Sequence, residues 1–411
     1  MPSFRGGRGG GVSSPGVLMS SVWIRGCRRA VYYCSIRRRN MIIICFAMVF
    51  VAFLRRSHFN TSSSESSTPS LRATSDVVTI SKNDNMEISN VCLSSPGRYK
   101  WRKDLNQYFT KQSTTEGGIR MLPTYAITLT VNSGYFDFFI NWHHYYIEHT
   151  TNNHNNNNIL IIIAEDSLIY TKLKAMFHDD DVDEGNTIVL PGYDVTTTTT
   201  NNNQSFMMQN SNAEDYDSIK YKSLVSSRAS HLLNLICSLE ATTTRPTNDK
   251  KDIIIIYSDV DTVLVKDPFP YIDNMLSSSS STSNTQYDIL AAIDDHDYGG
   301  VSDYYCTGFI VIVQTHASIS FLAQWEKELI TKPQLNQPIF NTILRSTKIP
   351  IKHAGLGEIE FAPGRLYFNV WEKEGGIVEK TKKEKTIFVH NNYIVGHDAK
   401  KRRFEENGLW N

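Results

Sequence analysis

Apolar positions along this chain switch repeatedly between two periods. Tyr125-Ala-Ile-Thr-Leu-Thr-Val131 predicts a first strand, and Tyr135 to His149 follows as a helix with aromatic residues on its buried side. Asn158-Ile-Leu-Ile-Ile-Ile-Ala164 predicts a second buried strand. Glu165 and Asp166 then open a helix at the end where acidic groups meet the positive pole of the macrodipole. A third strand at 187–190 and a helix at 222–240 lead into Ile253-Ile-Ile-Ile-Tyr257, a run suited to a strand covered on both faces. Later strands are predicted at 288–293, at 305–313 and ending at His390, the last followed by a basic helix. Strands alternating with helices indicate an α/β fold with a mainly parallel sheet. Homopolymeric tracts at 152–158, 196–203, 242–244 and 277–281 fall between the predicted elements and read as surface-loop insertions.

Before this pattern the chain reads differently. Residues 57–118 are rich in Ser, Thr and Asn and suit a flexible stem, leaving 119–411 as one large folded domain. Residues 1–40 hold eight arginines, and no acidic residue precedes Glu65. An uncharged apolar run at 41–54 follows, closed by Arg55 and Arg56. It is shorter than the roughly 20 residues of a full span. A cleaved signal is the rival reading, but the long basic leader and the lack of a small-x-small cleavage pattern favour a single-pass signal-anchor. The positive-inside bias puts residues 1–40 in the cytoplasm and the rest in the lumen.

The 42 basic and 42 acidic residues balance, so nothing global points to nucleic acid. Of six cysteines, Cys92, Cys237 and Cys306 follow the apolar run, which allows at most one internal disulfide. Sequons at Asn60 and Asn203 lie in polar stretches where glycans are tolerated.

The isoleucine run ends in Asp259-Val-Asp261, and Asp267-Pro-Phe-Pro270 stops the segment soon after. Two residues apart on extended backbone, both carboxylates can point the same way. Strand carboxyl ends carry the ligand sites of open α/β sheets. A convergent pair there suits a hard divalent cation that also holds phosphates, although Asp-x-Asp also occurs as a solvated turn. Arg228 on the preceding helix has the fork geometry for a diphosphate, with an exposed helix arginine as the structural alternative, and Tyr221 and Lys222 are weaker candidates. The turn Asn132-Ser133-Gly134 lies where a nucleotide base or ribose would sit, or is a plain turn. Asp294, Asp295 and Asp297 end another strand, either facing sugar hydroxyls or forming a solvated acidic loop. Gly308 can let backbone approach a ligand closely. His390, at a strand terminus, is a candidate third ligand for Mn²⁺.

With these residues in place, the chain resembles the nucleotide-diphospho-sugar transferase domain of glycosyltransferase family 77. The resemblance lies in the Asp-x-Asp followed by Asp-Pro-Phe and in the Asn-Ser-Gly turn. Val389-His-Asn-Asn-Tyr-Ile394, its basic helix and Leu409-Trp410 resemble the ending of plant rhamnogalacturonan-II α-xylosyltransferases. Asn336-Gln337-Pro-Ile-Phe-Asn341 is similar to the family's Asp-Gln-Pro-x-Phe-Asn, with Asn336 in place of the usual aspartate.

The resemblance implies a GT-A type, Rossmann-like domain anchored in the Golgi membrane. It implies a retaining transferase that moves xylose, or second galactose, from a UDP-sugar to a glycan or glycoprotein acceptor. Asp259, Asp261 and His390 are expected to hold Mn²⁺ or Mg²⁺, with Asn132, Ser133, Gly134 and Arg228 on the donor and Asp294, Asp295 and Gln337 at the reaction centre. Two rivals are a metal-dependent phosphohydrolase and a luminal nucleotide-sugar-binding protein without catalysis.

Overall fold

The isoleucine run forms the centre of a seven-stranded sheet in this computed structural model. The structure describes residues 91–92, 101–115, 124–150, 158–177, 186–192, 218–242, 253–277, 287–294, 304–331, 335–346 and 349–411. The strands are β1 (Tyr125–Val131), β2 (Ile159–Ala164), β3 (Thr187–Pro191), β4 (Ile254–Ser258), β5 (Thr262–Leu264), β6 (Ile289–Ile293), β7 (Tyr305–Val313), β8 (His353–Leu356), β9 (Phe361–Pro363) and β10 (Phe388–His390). The helices are α1 (Arg102–Thr115), α2 (Phe136–Thr150), α3 (Ser167–Met176), α4 (Ile219–Thr242), α5 (Phe269–Ser277), α6 (His316–Thr331), α7 (Asn336–Leu344), α8 (Trp371–Glu374), α9 (Gly376–Lys385) and α10 (His397–Glu406).

The large sheet runs β3-β2-β1-β4-β7-β6-β8. It is parallel except at β7, which is antiparallel to both β4 and β6. Strand pleating explains the isoleucines. Ile255 and Tyr257 enter the core on one face of the sheet, whereas Ile256 enters the core on the other. Asp166 caps α3 by accepting the Ile169 N–H at 2.9 Å, at the predicted helix start. Chain order reverses on either side of β1, with β2 next to it on one flank and β4 on the other. A crevice therefore opens at the carboxyl ends of β1 and β4. A smaller sheet, β5-β10-β9, lies beside that crevice.

One sequence expectation needs correction. The stem expected over 57–118 contains a helix, α1 at Arg102–Thr115. Trp101, Leu105 and Phe109 are buried, an i, i+4 stripe that the polar composition of the segment concealed. Cys92 is bonded to Cys237 on α4, which joins this segment to the core across 145 residues, while Cys306 is a buried free thiol. In the chain-entropy model a loop of that size stabilises the fold by about 4–5 kcal/mol. Cys92→Ser is therefore expected to lower the thermal midpoint markedly, and an unchanged midpoint in calorimetry would show that the α1 segment contributes no constraint.

The apolar run at 41–54, the basic tail and residues 57–90 lie outside the described residues. Among the described residues no helix is long and apolar enough to cross a membrane.

Candidate functional site

β4 ends at Ser258, and the next residue, Asp259, donates its backbone N–H to the Gly308 carbonyl on β7 at 2.9 Å. The turn into β5 is fixed by hydroxyls. Thr262 Oγ1 donates to the Asp259 carbonyl at 2.7 Å and lies 3.0 Å from Ser258 Oγ. This turn aims both carboxylates toward β10. There the antiparallel register sets His390 opposite Thr262, and the Asn391 N–H donates to the Asp261 carbonyl at 2.9 Å. His390 Nε2 consequently lies 3.8 Å from Asp259 Oδ2 and 3.7 Å from Asp261 Oδ1.

One ligand atom from each of the three residues lies within 4.8 Å of the others. Atoms that share one cation at about 2.0–2.4 Å stand roughly 3–4 Å apart, so the trio fits a single divalent ion. Two carboxylate oxygens and an imidazole nitrogen suit Mn²⁺, which accepts nitrogen more readily than Mg²⁺ does.

The carboxylates divide their oxygens. The oxygens near His390 are the inner ones, and each outer oxygen faces a protein cation. Asp259 Oδ1 accepts from Arg228 Nη2, and from the Tyr257 hydroxyl at 2.8 Å. Asp261 Oδ2 accepts from Lys400 Nζ on α10. Burial pushes the Asp261 carboxyl up, but Lys400 and His390 outweigh it and hold the group well below the usual range. Burial pulls the His390 imidazole down, while Cys306 and Asp261 more than offset it and leave it well above its ordinary value. Lys400 is likewise raised, burial being outweighed by Asp261.

Arg228 is buried on α4. Its Nη1 donates to the Thr307 carbonyl at 2.8 Å and to the Thr307 hydroxyl at 3.0 Å, and its guanidinium lies 4.6 Å from the Tyr257 ring centre. The guanidinium thus braces Asp259 and β7 and is not an exposed helix arginine, and of its nitrogens Nε is left without a partner among the described residues.

Asn132, Ser133 and Gly134 follow β1 at the crevice. Ser133 N–H donates to Asp166 Oδ2 at 2.7 Å, and Asn132 Oδ1 is buried with no partner among the described residues, an acceptor available to a ligand. Asp294 is buried at the end of β6 and accepts from Gln337 Nε2 and from the Tyr393 hydroxyl, each at 2.6 Å. Burial lifts its carboxyl above the usual range despite these two donors. Gln337 Oε1 in turn accepts the Thr307 N–H at 3.2 Å. Asn336 is buried on α7, its Oδ1 3.4 Å from Thr307 Oγ1 and its Nδ2 unpartnered among the described residues. Asp295 and Asp297 lie outside the described residues.

Sequence reasoning passed over Lys400, Cys306 and Tyr393. A signal for Lys400 did exist: it stands four residues before Phe404, the buried residue of α10, and so shares its inward face. Tyr393 has φ of 59°, a backbone conformation that β-branched and aromatic residues seldom adopt outside functional sites.

Residues 249–404 match the family model described as nucleotide-diphospho-sugar transferase. Among curated proteins, the chain is similar to an Arabidopsis thaliana UDP-D-xylose:L-fucose alpha-1,3-D-xylosyltransferase, 32% identical over 169 residues, 38% of this chain and 44% of the relative. It is also similar to a Dictyostelium discoideum UDP-galactose:fucoside alpha-3-galactosyltransferase, 25% identical over 219 residues, 49% of this chain and 30% of the relative. The matches thus span less than half the length of either relative. Among solved structures, mouse xyloside xylosyltransferase 1 aligns over 66% of this chain and 98% of its own, at 10% identity and a TM-score of 0.35. Asp259, Asp261, Asp294, Gln337, His390 and Lys400 all fall within residues 249–404, the segment that matches the nucleotide-diphospho-sugar transferase model.

Proposed function

We propose that this chain is a metal-dependent GT-A type glycosyltransferase that moves a sugar from a UDP-sugar to a glycan or glycoprotein acceptor. Xylose is the favoured sugar and galactose the second. The observation that carries the reading is the convergence of Asp259 Oδ2, Asp261 Oδ1 and His390 Nε2 at the crevice between β1 and β4. The similar plant and amoebal proteins, named for UDP-xylose and UDP-galactose transfer, support the donor class.

In this reading Asp259, Asp261 and His390 hold Mn²⁺ or Mg²⁺. The chemistry such a cation supplies is neutralisation of the diphosphate charge that develops as UDP leaves. Arg228 and Lys400 hold the outer carboxylate oxygens in place. Asn132 Oδ1 meets a donor N–H or hydroxyl of the nucleoside. Asp294, held between Gln337 and Tyr393, faces sugar hydroxyls, and Gln337 is positioned at the same centre.

The test is to incubate the purified full chain and Mn²⁺ with UDP-xylose, UDP-galactose and other nucleotide sugars, and to measure UDP release. Release from one UDP-sugar, abolished by chelator, is expected. UDP binding without release from any donor would leave a non-catalytic binding protein, the alternative that the buried Asn336 amide favours. Hydrolysis of a simple phosphate monoester would reassign the chain to the phosphohydrolases.

A further inference from the structure

A buried sulfur stands directly behind the imidazole of the cation site. Cys306 Sγ lies 3.3 Å from His390 Nδ1, on the side of the ring opposite Asp259 and Asp261. Two further nitrogens face the same sulfur, the Gly308 N–H at 3.5 Å and Asn392 Nδ2 at 4.0 Å. Both partners are almost fully enclosed, Cys306 at 3% exposure and His390 at 7%. A thiol can donate or accept, but one ringed by nitrogen donors acts as an acceptor. Two residues of β7 make the arrangement a unit. Cys306 and Gly308 both meet the ring, the first supplying an acceptor and the second the space that the ring occupies. Thr307 between them turns the other way, toward Arg228 and Asn336.

We propose that Cys306 is a positioning residue for the cation site: its sulfur accepts the Nδ1–H of His390 and so directs the Nε2 lone pair at the space between Asp259 and Asp261. The inference rests on the functional reading above for its purpose and on geometry alone for the contact. Histidines that bind metals commonly give their second N–H to a carboxylate or a carbonyl. Here a thiol takes that place. No acidic side chain contacts Nδ1 among the hydrogen bonds of the described residues, so the sulfur is the group that fixes the ring.

Two readouts on the full chain test this. The first is Mn²⁺ affinity by calorimetric titration of wild type, Cys306→Ala and Cys306→Ser, with thermal unfolding as the control for folding. Removing an outer-shell partner weakens metal affinity by about 10–100-fold, which is the expected loss in Cys306→Ala. Cys306→Ser keeps an acceptor and is expected to recover much of that loss. The second is the Nδ1–H resonance of His390 in metal-free, histidine-labelled protein. In wild type it should be protected from solvent exchange, and in Cys306→Ala it should shift and lose protection. A folded Cys306→Ala with wild-type Mn²⁺ affinity and an unshifted, protected Nδ1–H overturns the proposal. A wild-type protein that binds no Mn²⁺ defeats the functional reading, and the proton resonance then still decides whether Cys306 positions the ring.

Discussion

Replacing Gly308 with alanine is expected to abolish cation binding while leaving the fold standing. A Cβ at this position would meet His390 Cε1 at 2.3 Å, His390 Nδ1 at 2.7 Å and Asp259 Oδ2 at 3.0 Å. The first two separations are shorter than non-bonded carbon atoms tolerate. The ring has little room to retreat, because His390 is a member of β10, hydrogen-bonded between β5 and β9. The added methyl must therefore displace the imidazole, the Asp259 carboxylate or both. Overpacking of this kind costs about 1–3 kcal/mol, within what a domain of this size can absorb. The loss of Mn²⁺ affinity should exceed the roughly 100-fold that outer-shell changes produce, since a ligand itself is moved. Calorimetric titration and thermal unfolding, run together, check both halves. A folded Gly308→Ala with undiminished Mn²⁺ affinity would remove His390 from the cation site.

The second large effect is expected from His390→Ala. Both carboxylates remain in this variant, each still paired with its own cation, Arg228 or Lys400, so the fold should persist. Mn²⁺ affinity and turnover should fall by at least about 10–100-fold, and the pH dependence should change with them. In the metal-free protein Cys306 and Asp261 hold the imidazole above its ordinary value against the pull of burial. A raised histidine adds stability that is complete below its unfolded value and is lost as pH rises through the folded one. Proton and cation also compete for Nε2, so Mn²⁺ affinity should rise with pH through that elevated range and then level off. His390→Ala should flatten this component of the profile. If the variant keeps the wild-type pH dependence of Mn²⁺ binding, the nitrogen that competes with the proton belongs to another residue.

The two variants separate a ligand from the space it needs. His390→Ala removes the donor atom and leaves a void, whereas Gly308→Ala keeps the donor and takes its room. Loss of cation binding in both, with normal folding, is the pattern expected of a cation held jointly by Asp259, Asp261 and His390. Adding chelator to wild-type protein should reproduce that loss without any change in chain sequence.

The sequence by itself determined the strand–helix alternation and the place where chemistry begins. β1 and β7 match their expected spans, and β2, β3, β4 and β6 differ by a residue or so at their ends. These elements were legible because their patterns are local: a buried strand needs an apolar run, and α3 needs Asp166 at its cap. The Asp-x-Asp pair was legible for the same reason, since both residues belong to one turn.

What tertiary structure alone decided is the company those carboxylates keep. His390 is 131 residues from Asp259 in the chain, and the β10–β5 register brings them together. Lys400 and Arg228 reach opposite outer oxygens from two different helices. The α1 segment looked like stem because its surface is polar, and its buried stripe of Trp101, Leu105 and Phe109 has meaning only against α4 and the disulfide. Likewise, Gly308 could be read as a place of close approach, but not which atom approaches. Local pattern fixes what each segment can be. Pairing register and packing, which act between segments far apart in sequence, fix which oxygen faces a cation and which faces the ring.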